Sequence, residues 1–384
     1  MRNGLNITGV SETVHELRDH PEEAIADFAV AAPVEAAHPD GGIRTEALTL
    51  RSGTIRVARD FRIDQGELGA VPSYGADRAP TPYESALAAL GSCVLITKVN
   101  GYTARGVTLG SLRMTVTAGL ALDAAGRPAA GAALRDLAWH CELDCDAPPD
   151  TVESISRLVT AFSPNHRVFL DESAIELVAT VHRPDGGSTE VTVPWEPRDA
   201  PAASTAPVRA EVVWENGSEA TYRTELTLDG VRHRSGPLVV DQAKQMLGID
   251  KGPNSQEILL SALCGELTTL VREETRGLGL SDVRLRAGGR LDTRGMLNVD
   301  RDISSSFHDL RVRLSARGDT PADELRAALG RAMSRATVPA TLRRSGPVDV
   351  RLTRPDGAGF SHRSTTARAE AIRDEVTRRQ RAAA

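Results

Sequence analysis

The sequence predicts an α+β protein in which one domain occurs twice, and three observations carry that expectation. The chain is 384 residues long, too long for one ordinary domain and comfortable for two, each able to bury its own core. Three blocks of related sequence recur in the same order in the two halves. Within each half, strands, a buried helix, further strands, a second helix and a last strand follow one another, which is the order of an α+β domain with antiparallel sheet.

The first block pairs Ile43-Arg44-Thr45-Glu46-Ala47-Leu48-Thr49-Leu50 with Tyr222-Arg223-Thr224-Glu225-Leu226-Thr227-Leu228. Both alternate polar and apolar residues and are rich in β-branched side chains, so both read as strands. The second block lays PTPYESALAALGSC (80–93) over PNSQEILLSALCGE (253–266) without a gap. Proline near the start, then Ala, Leu and Ile at helical spacing, predicts a buried helix in each copy, over 82–100 and 255–272. Each exits through an Arg-Gly pair, Arg105-Gly106 and Arg276-Gly277, where glycine supplies the stop. The third block sets Leu134-Arg135-Asp136-Leu137 against Phe307-His308-Asp309-Leu310, each opening an alternating strand. A second helix, Asp150 to Phe162 or Pro321 to Ala336, and a final strand complete each copy. Residues 183–208 hold five prolines among Gly, Ser and Ala and read as an extended linker. The expected division is a helical extension (1–27), a first domain (28–183), a Pro-rich linker (184–208), a second domain (209–355) and a charged tail (356–384).

Composition excludes several classes. The formal charge of −6 comes from mixed signs without a long block of either, so neither nucleic acid nor an anionic membrane is expected as partner. No apolar run approaches the ~20 residues of a membrane span, and the N-terminus lacks an apolar signal core; a soluble, cytoplasmic protein is expected. Aromatic residues are 3% of the chain, which leaves no stacking platform for bases. Cys93, Cys141, Cys145 and Cys264 form neither a disulfide framework nor a paired metal motif. No metal and no cofactor are expected, and any cysteine chemistry would use a free thiol.

The helical block, read as Gly75-Ala76-Asp77-Arg78-Ala79-Pro80 through Leu90 and as Gly248-Ile249-Asp250-Lys251-Gly252-Pro253 through Leu263, resembles the OsmC/Ohr family of osmotically inducible and organic hydroperoxide resistance proteins. The resemblance implies two tandem OsmC-like domains, with antiparallel sheets around two central helices. Family members are intertwined homodimers with a site at each end of the interface, so two copies in one chain would close the same interface internally as a pseudo-dimer. A further homodimer stays open beside it. The resemblance makes Cys93 the peroxide-attacking thiol of copy one. Glu266 stands at that position in copy two, and Cys264, two residues earlier, points about 200° away around the helix. At the family's resolving C-P motif stand Ser163-Pro164 and Val338-Pro339, so neither half carries a resolving cysteine. The family's assisting glutamate, ten residues before the thiol, is Tyr83 in one copy and Gln256 in the other. Glu84 lies one position on, toward the opposite side of the helix.

Each candidate also has a plainer reading. Cys93 fits a small buried apolar residue, but its place in the motif favours a reactive thiol whose activation would need an outside cation. Arg62 ranks first for that task, ahead of Arg59 and Arg78. Glu84 and Glu257 fit either a site carboxylate or acids favoured in a first helical turn. Arg44 and Arg223 fit substrate contacts or edge-strand charges, and His166 a site residue or an exposed loop histidine. Leu137, Trp139, Cys141, Leu143 and Cys145 alternate onto one face, so the two cysteines read as core, with Cys145 kept as an improvised resolver. The catalytic set expected is Cys93, Arg62, Glu84 and Glu266, and the substrate-binding set Tyr83, Ser163, His166, Arg44 and Arg223.

Three functions compete. The first is a one-cysteine (hydro)peroxide reductase acting through Cys93, with a small-molecule substrate and an external thiol reductant. The second is a degenerate member that keeps the cleft as a binding surface. The third is a repurposed biosynthetic enzyme using Glu266 as acid or base.

Overall fold

The computed structural model describes residues 1–34, 42–48, 50–66, 79–196, 202–228, 230–300, 302–344 and 346–381. Helix α1 (Ile7–Asp19) leads into β1 (Ile25–Pro33), β2 (Ile43–Ala47), β3 (Leu50–Ser52), β4 (Ile55–Val57) and β5 (Arg62–Gln65). The central helix α2 (Pro82–Ala104) follows, then β6 (Leu109–Leu122), β7 (Arg135–Cys145), α3 (Pro149–Phe162), α4 (Pro164–Leu170), β8 (Glu176–His182) and β9 (Ser188–Pro194). The order then repeats with β10 (Ser204–Asn216), β11 (Glu219–Leu228), β12 (Val231–Val240), α5 (Ser255–Glu274), β13 (Ser281–Asp292), the short α6 (Thr293–Met296), β14 (His308–Arg317), α7 (Ala322–Arg335), α8 (Thr337–Arg343), β15 (Val348–Thr353) and β16 (Gly359–Ser364). Helix α9 (Thr366–Arg381) ends the described chain.

From the central helix onward the copies correspond at one constant spacing. Pro82 matches Ser255 at the helix start, and the left-handed Asp136 (φ 50°) matches the left-handed Asp309 (φ 54°). Ser163 matches Ala336, each capping the short helix after the second long one. This spacing corrects two alignments made from sequence. The residue opposite Ser163 is Ala336 rather than Val338, and the constant spacing sets Gly279 rather than Gly277 opposite Gly106, although both glycines after α5 are left-handed.

The copies exchange strands, so neither half of the sequence is a separate body. One sheet runs β4-β3-β1-β13-β14-β8-β9, with β2 and β5 attached beside β1. The other runs β12-β11-β10-β6-β7-β15-β16. The opening strand of each copy therefore pairs with the other copy's long strand, β1 with β13 and β10 with β6. The last hairpin of each copy crosses over as well. It enters parallel, β8 on β14 and β15 on β7, so the sheets are not antiparallel throughout. The crossing fixes the direction, because these strands arrive after two helices rather than by a hairpin turn.

Helices α2 and α5 pack against each other between the sheets, α2 on β6 and β10, α5 on β1 and β13. Their starts are built alike. Thr81 caps α2 in a reciprocal box with Glu84, and Asn254 caps α5 in one with Glu257, satisfying backbone donors that the first turn leaves open. Both helices are buried on nearly every face, which a helix apolar all round requires. Gly91 in α2 shows how close the layers lie: a Cβ there would stand 2.9 Å from a Val116 methyl. Its counterpart at the constant spacing is Cys264, wholly buried with its sulfur toward the Leu285 carbonyl.

Several boundaries differ from the sequence reading. The expected linker is largely strand, with β9 inside it and β10 beginning at Ser204; Pro194 ends β9 and Pro207 lies in β10 opposite Gly119. Residues 197–201 lie outside the described residues. Strand β1 begins within the expected helical extension, and β16 lies within the expected tail, paired with β15.

Candidate active site

The thiol of Cys93 is 4% exposed and is surrounded by hydrogen-bond donors. The Ser163 hydroxyl and the Asn165 backbone N–H each donate to Sγ at 3.4 Å, and the Gln256 side-chain amide donates at 3.6 Å. Ser163 and Asn165 come from the start of α4, directly after α3, whereas Gln256 comes from the first turn of α5 in the other copy. Asn165 locks the three elements together. Its amide donates to the Ala89 carbonyl of α2 and the Ser255 carbonyl of α5, both at 3.0 Å.

Burial raises the Cys93 thiol above its ordinary range, and the donors from Ser163, Asn165, Ser255 and Gln256 pull it only partly back. No cation is among the causes. The expectation of an activating arginine therefore fails for both described candidates. Arg62 is exposed on β5 opposite Glu46. Arg59, its side chain fully buried, gives both its Nε and Nη2 to Glu257 (2.7 and 2.9 Å) and pairs with Asp250. It anchors the start of α5 instead of facing sulfur. Arg78 lies outside the described residues.

Glu266 occupies the equivalent point on α5. It is 5% exposed and accepts from the backbone N–H groups of Thr337 and Val338, each at 2.7 Å, and from the Tyr83 hydroxyl. Burial pushes this carboxyl up to about 7, with those three donors drawing it partly down. Burial and the neighbouring Glu266 carboxylate hold the Tyr83 phenol well above its usual value. Its partners are thus backbone N–H groups and a phenol rather than a basic side chain of its own copy such as Arg234 or His233. Arg234 is on β12 in a pair with Glu225, and His233 lies opposite Leu226.

The two sites are thus completed crosswise. Tyr83 belongs with Glu266 and Gln256 with Cys93, because α2 and α5 cross so that each first turn meets the middle of the other helix. Tyr83 is therefore not beside the thiol of its own copy. Glu84 and Glu257 both serve as helix caps, and Glu257 also takes Arg59.

His166, read from the sequence as a site residue or an exposed loop histidine, is fully buried in α4. Its Nδ1 accepts from the Trp139 indole at 3.3 Å and its Nε2 lies 3.0 Å from the Ser364 hydroxyl, so Nε2 carries the proton. Burial, aided by nearby positive charge, lowers it to about 3. It holds α4 in place as a neutral group. Arg44 binds Asp64 bidentately at 2.6 and 3.1 Å, and Arg223 is exposed on β11 opposite Glu211; neither reaches the thiol. Cys141 is buried on the apolar face of β7 as the alternation predicts, Cys145 ends the strand opposite Leu109, and all four cysteines are free.

Above Cys93 opens a cleft of about 1210 Å³. Its floor is α2 and α3, and its walls include α1, α9 and the segments around Met246 and Met296. Among the described residues, no group of His, Cys, Asp and Glu is placed to hold a metal ion, and no helix is long and apolar enough to cross a membrane.

The chain is an intertwined pair of α+β copies, with a buried thiol on one central helix and its hydrogen-bond donors supplied partly from the other. Residues 75–178 match the family model of OsmC-like protein, and this part of the chain is an OsmC-like domain. A solved structure, that of an OsmC-like protein from Mycoplasma pneumoniae, is 18% identical over 37% of this chain and 83% of its own, with a TM-score of 0.25. No curated protein matches the chain.

Asn165, Ser255 and Gln256 were missed in the sequence. Gln256 stood in plain view in the gapless helix match, but its assignment to the opposite copy's site depends on the helix crossing. Asn165 follows the Ser163-Pro164 pair and has no signal of its own.

Proposed function

We propose that the chain is a thiol-dependent enzyme with one reactive site, in which Cys93 reduces a (hydro)peroxide and an external thiol regenerates it. The observation that carries this reading is the set of neutral donors aimed at a sulfur on the floor of a large cleft. A thiolate accepts hydrogen bonds and a buried apolar cysteine needs none, so three donors favour the charged form relative to the same pocket without them. In the reaction the thiolate attacks the distal peroxide oxygen, the O–O bond breaks, and the alkoxide leaves as alcohol after taking a proton. Cys93 becomes a sulfenic acid. One external thiol then condenses with it, releasing water, and a second releases Cys93 as thiol and leaves an external disulfide. Such a cycle belongs in a reducing, cytoplasmic compartment. Burial raises the thiol and no cation among the described residues is a cause that lowers it, so turnover is expected to rise toward alkaline pH.

The test is mass spectrometry after one equivalent of organic hydroperoxide with an added thiol. Oxidation or a mixed disulfide at Cys93 alone supports the reading; an intact Cys93, with peroxide consumption unchanged in Cys93→Ser, removes it. An internal Cys93–Cys145 disulfide would replace the one-cysteine cycle but keep the enzyme.

Glu266 favours a second reading. A buried carboxyl titrating at about 7 beside a phenol has the proton affinity of a general acid or base at neutral pH. If the chain is a repurposed enzyme, Glu266→Gln should abolish its reaction while leaving Cys93 reactivity unchanged.

A further inference from the structure

The cleft exceeds what a small peroxide requires, and its rim has a sign. Its volume of about 1210 Å³ lies above the ~300–1,000 Å³ of ordinary small-molecule sites. Apolar side chains from separate elements meet inside it, among them Ile96 of α2, Leu158 and Phe162 of α3, Val14 of α1 and Val376 of α9. Apolar walls of this extent, interrupted by polar side chains such as Thr97, Asn100 and Gln245, suit an elongated hydrocarbon or ring system.

The mouth is acidic. Two of its guanidiniums are taken up within their own helices, Arg157 by Glu153 and Arg379 by Glu375. Among the described lining residues, what remains is Glu12, Glu16, Glu23 and Asp150 against Arg105, all exposed, with His20 at 3.9 Å from Glu16 a cation only when protonated. Glu12 and Glu16 stand on α1, which precedes the repeated part of the chain, and Asp150 opens α3. Each exposed charge contributes little alone, but several of one sign around a low-dielectric mouth repel an anionic head and attract a cationic one.

We propose that the cleft above Cys93 takes an elongated, largely apolar molecule with a cationic or uncharged head and discriminates against a fatty carboxylate. The proposal names the ligand class of the site proposed above and rests on the shape and charge of the cleft, independent of the thiol reaction. The full chain carrying Cys93→Ser, which removes the chemistry, is used for binding. Dodecyltrimethylammonium, dodecanol and dodecanoate, each below its aggregation threshold, compete against a neutral environment-sensitive dye at low salt. The cation and the alcohol should displace the dye at concentrations about five-fold or more lower than the carboxylate. Raised salt should shrink the gap between cation and carboxylate, and so should the combined Glu12→Gln, Glu16→Gln, Glu23→Gln and Asp150→Asn variant. Leu158→Glu, checked for an unchanged melting profile, should remove dye binding and so locate it in the cleft. Dodecanoate displacing the dye as well as or better than the cation would overturn the proposal. So would dye binding that survives Leu158→Glu. A failed oxidation of Cys93 beside an intact head-group preference would end the reductase reading and leave this one standing.

Discussion

Cys93 and Glu266 occupy equivalent points on the two central helices, α2 and α5, and present unlike groups there. Each receives a backbone N–H from the following short helix, Asn165 for the thiol and Val338 for the carboxylate. Each is completed by the residue ten positions earlier on the other copy's helix, Gln256 in one case and Tyr83 in the other. The donors therefore belong to the fold, and what differs is the group that meets them. A duplicated frame that offers hydrogen bonds to the group at that point can carry a thiol at one end and a titrating acid at the other. The sulfur lies under a cleft walled in part by α1 and α9, elements outside the repeated segment.

The largest expected effect separates the two ends outright. Cys93→Ser should abolish hydroperoxide consumption, a loss of about a thousand-fold or more, together with thiol-directed labelling of the peptide that carries position 93. Cys264→Ser should leave both unchanged, since that thiol is sealed in the core and burial raises it to about 12. Peptide mapping of the labelled protein checks both.

The next effect is on stability and belongs to the carboxyl end. The folded value of about 7 for Glu266 lies above the ordinary 4.5, so the folded state favours the protonated form. That contribution is fully present below pH 4.5 and is lost as pH rises through about 7. At about 1.4 kcal/mol per unit, the change is on the order of 3 kcal/mol. Thermal melting between acid and mildly alkaline pH should show the decline, and Glu266→Gln should flatten it; a profile unchanged by that substitution would mean the carboxyl is already charged at low pH.

Asn165 tests the joint between the copies. Asn165→Ala removes both side-chain bonds to the Ala89 and Ser255 carbonyls and should cost roughly 1–3 kcal/mol in urea unfolding. Reactivity of Cys93 should change with it, because the same residue's N–H is aimed at sulfur. Unchanged stability would show that strand exchange alone holds the interface.

The smallest effect is expected from the trans donor. Gln256→Ala should move the alkylation profile of Cys93 further to the alkaline side and slow alkylation at neutral pH by about five-fold, the equivalent of one ordinary hydrogen bond. Tyr83→Phe should not touch that profile. If it does, the crosswise pairing of the two ends is wrong.

What the sequence determined by itself is the repeat and its consequences. The gapless match of 80–93 with 253–266 places Cys93 and Glu266 at one position because helix register is a local property, set by spacing along the chain. The alternation of β7 likewise puts Cys141 on a core face, because successive side chains of a strand point to opposite sides of the sheet. Tertiary structure alone decided which residues meet. The exchange of β1 and β10 and the parallel entry of β8 and β15 are long-range pairings that no local pattern specifies. For that reason Arg62 and Arg44 stand on β5 and β2 with carboxylate neighbours, and Tyr83 stands beside Glu266 of the other copy rather than beside Cys93. Partnership across an interface depends on how two helices cross, and the crossing is fixed by packing between residues far apart in the chain. Charge state follows the same rule. Composition makes Glu266 an ordinary acid, and only the closure of the interface around it removes the water that would have kept it ionised.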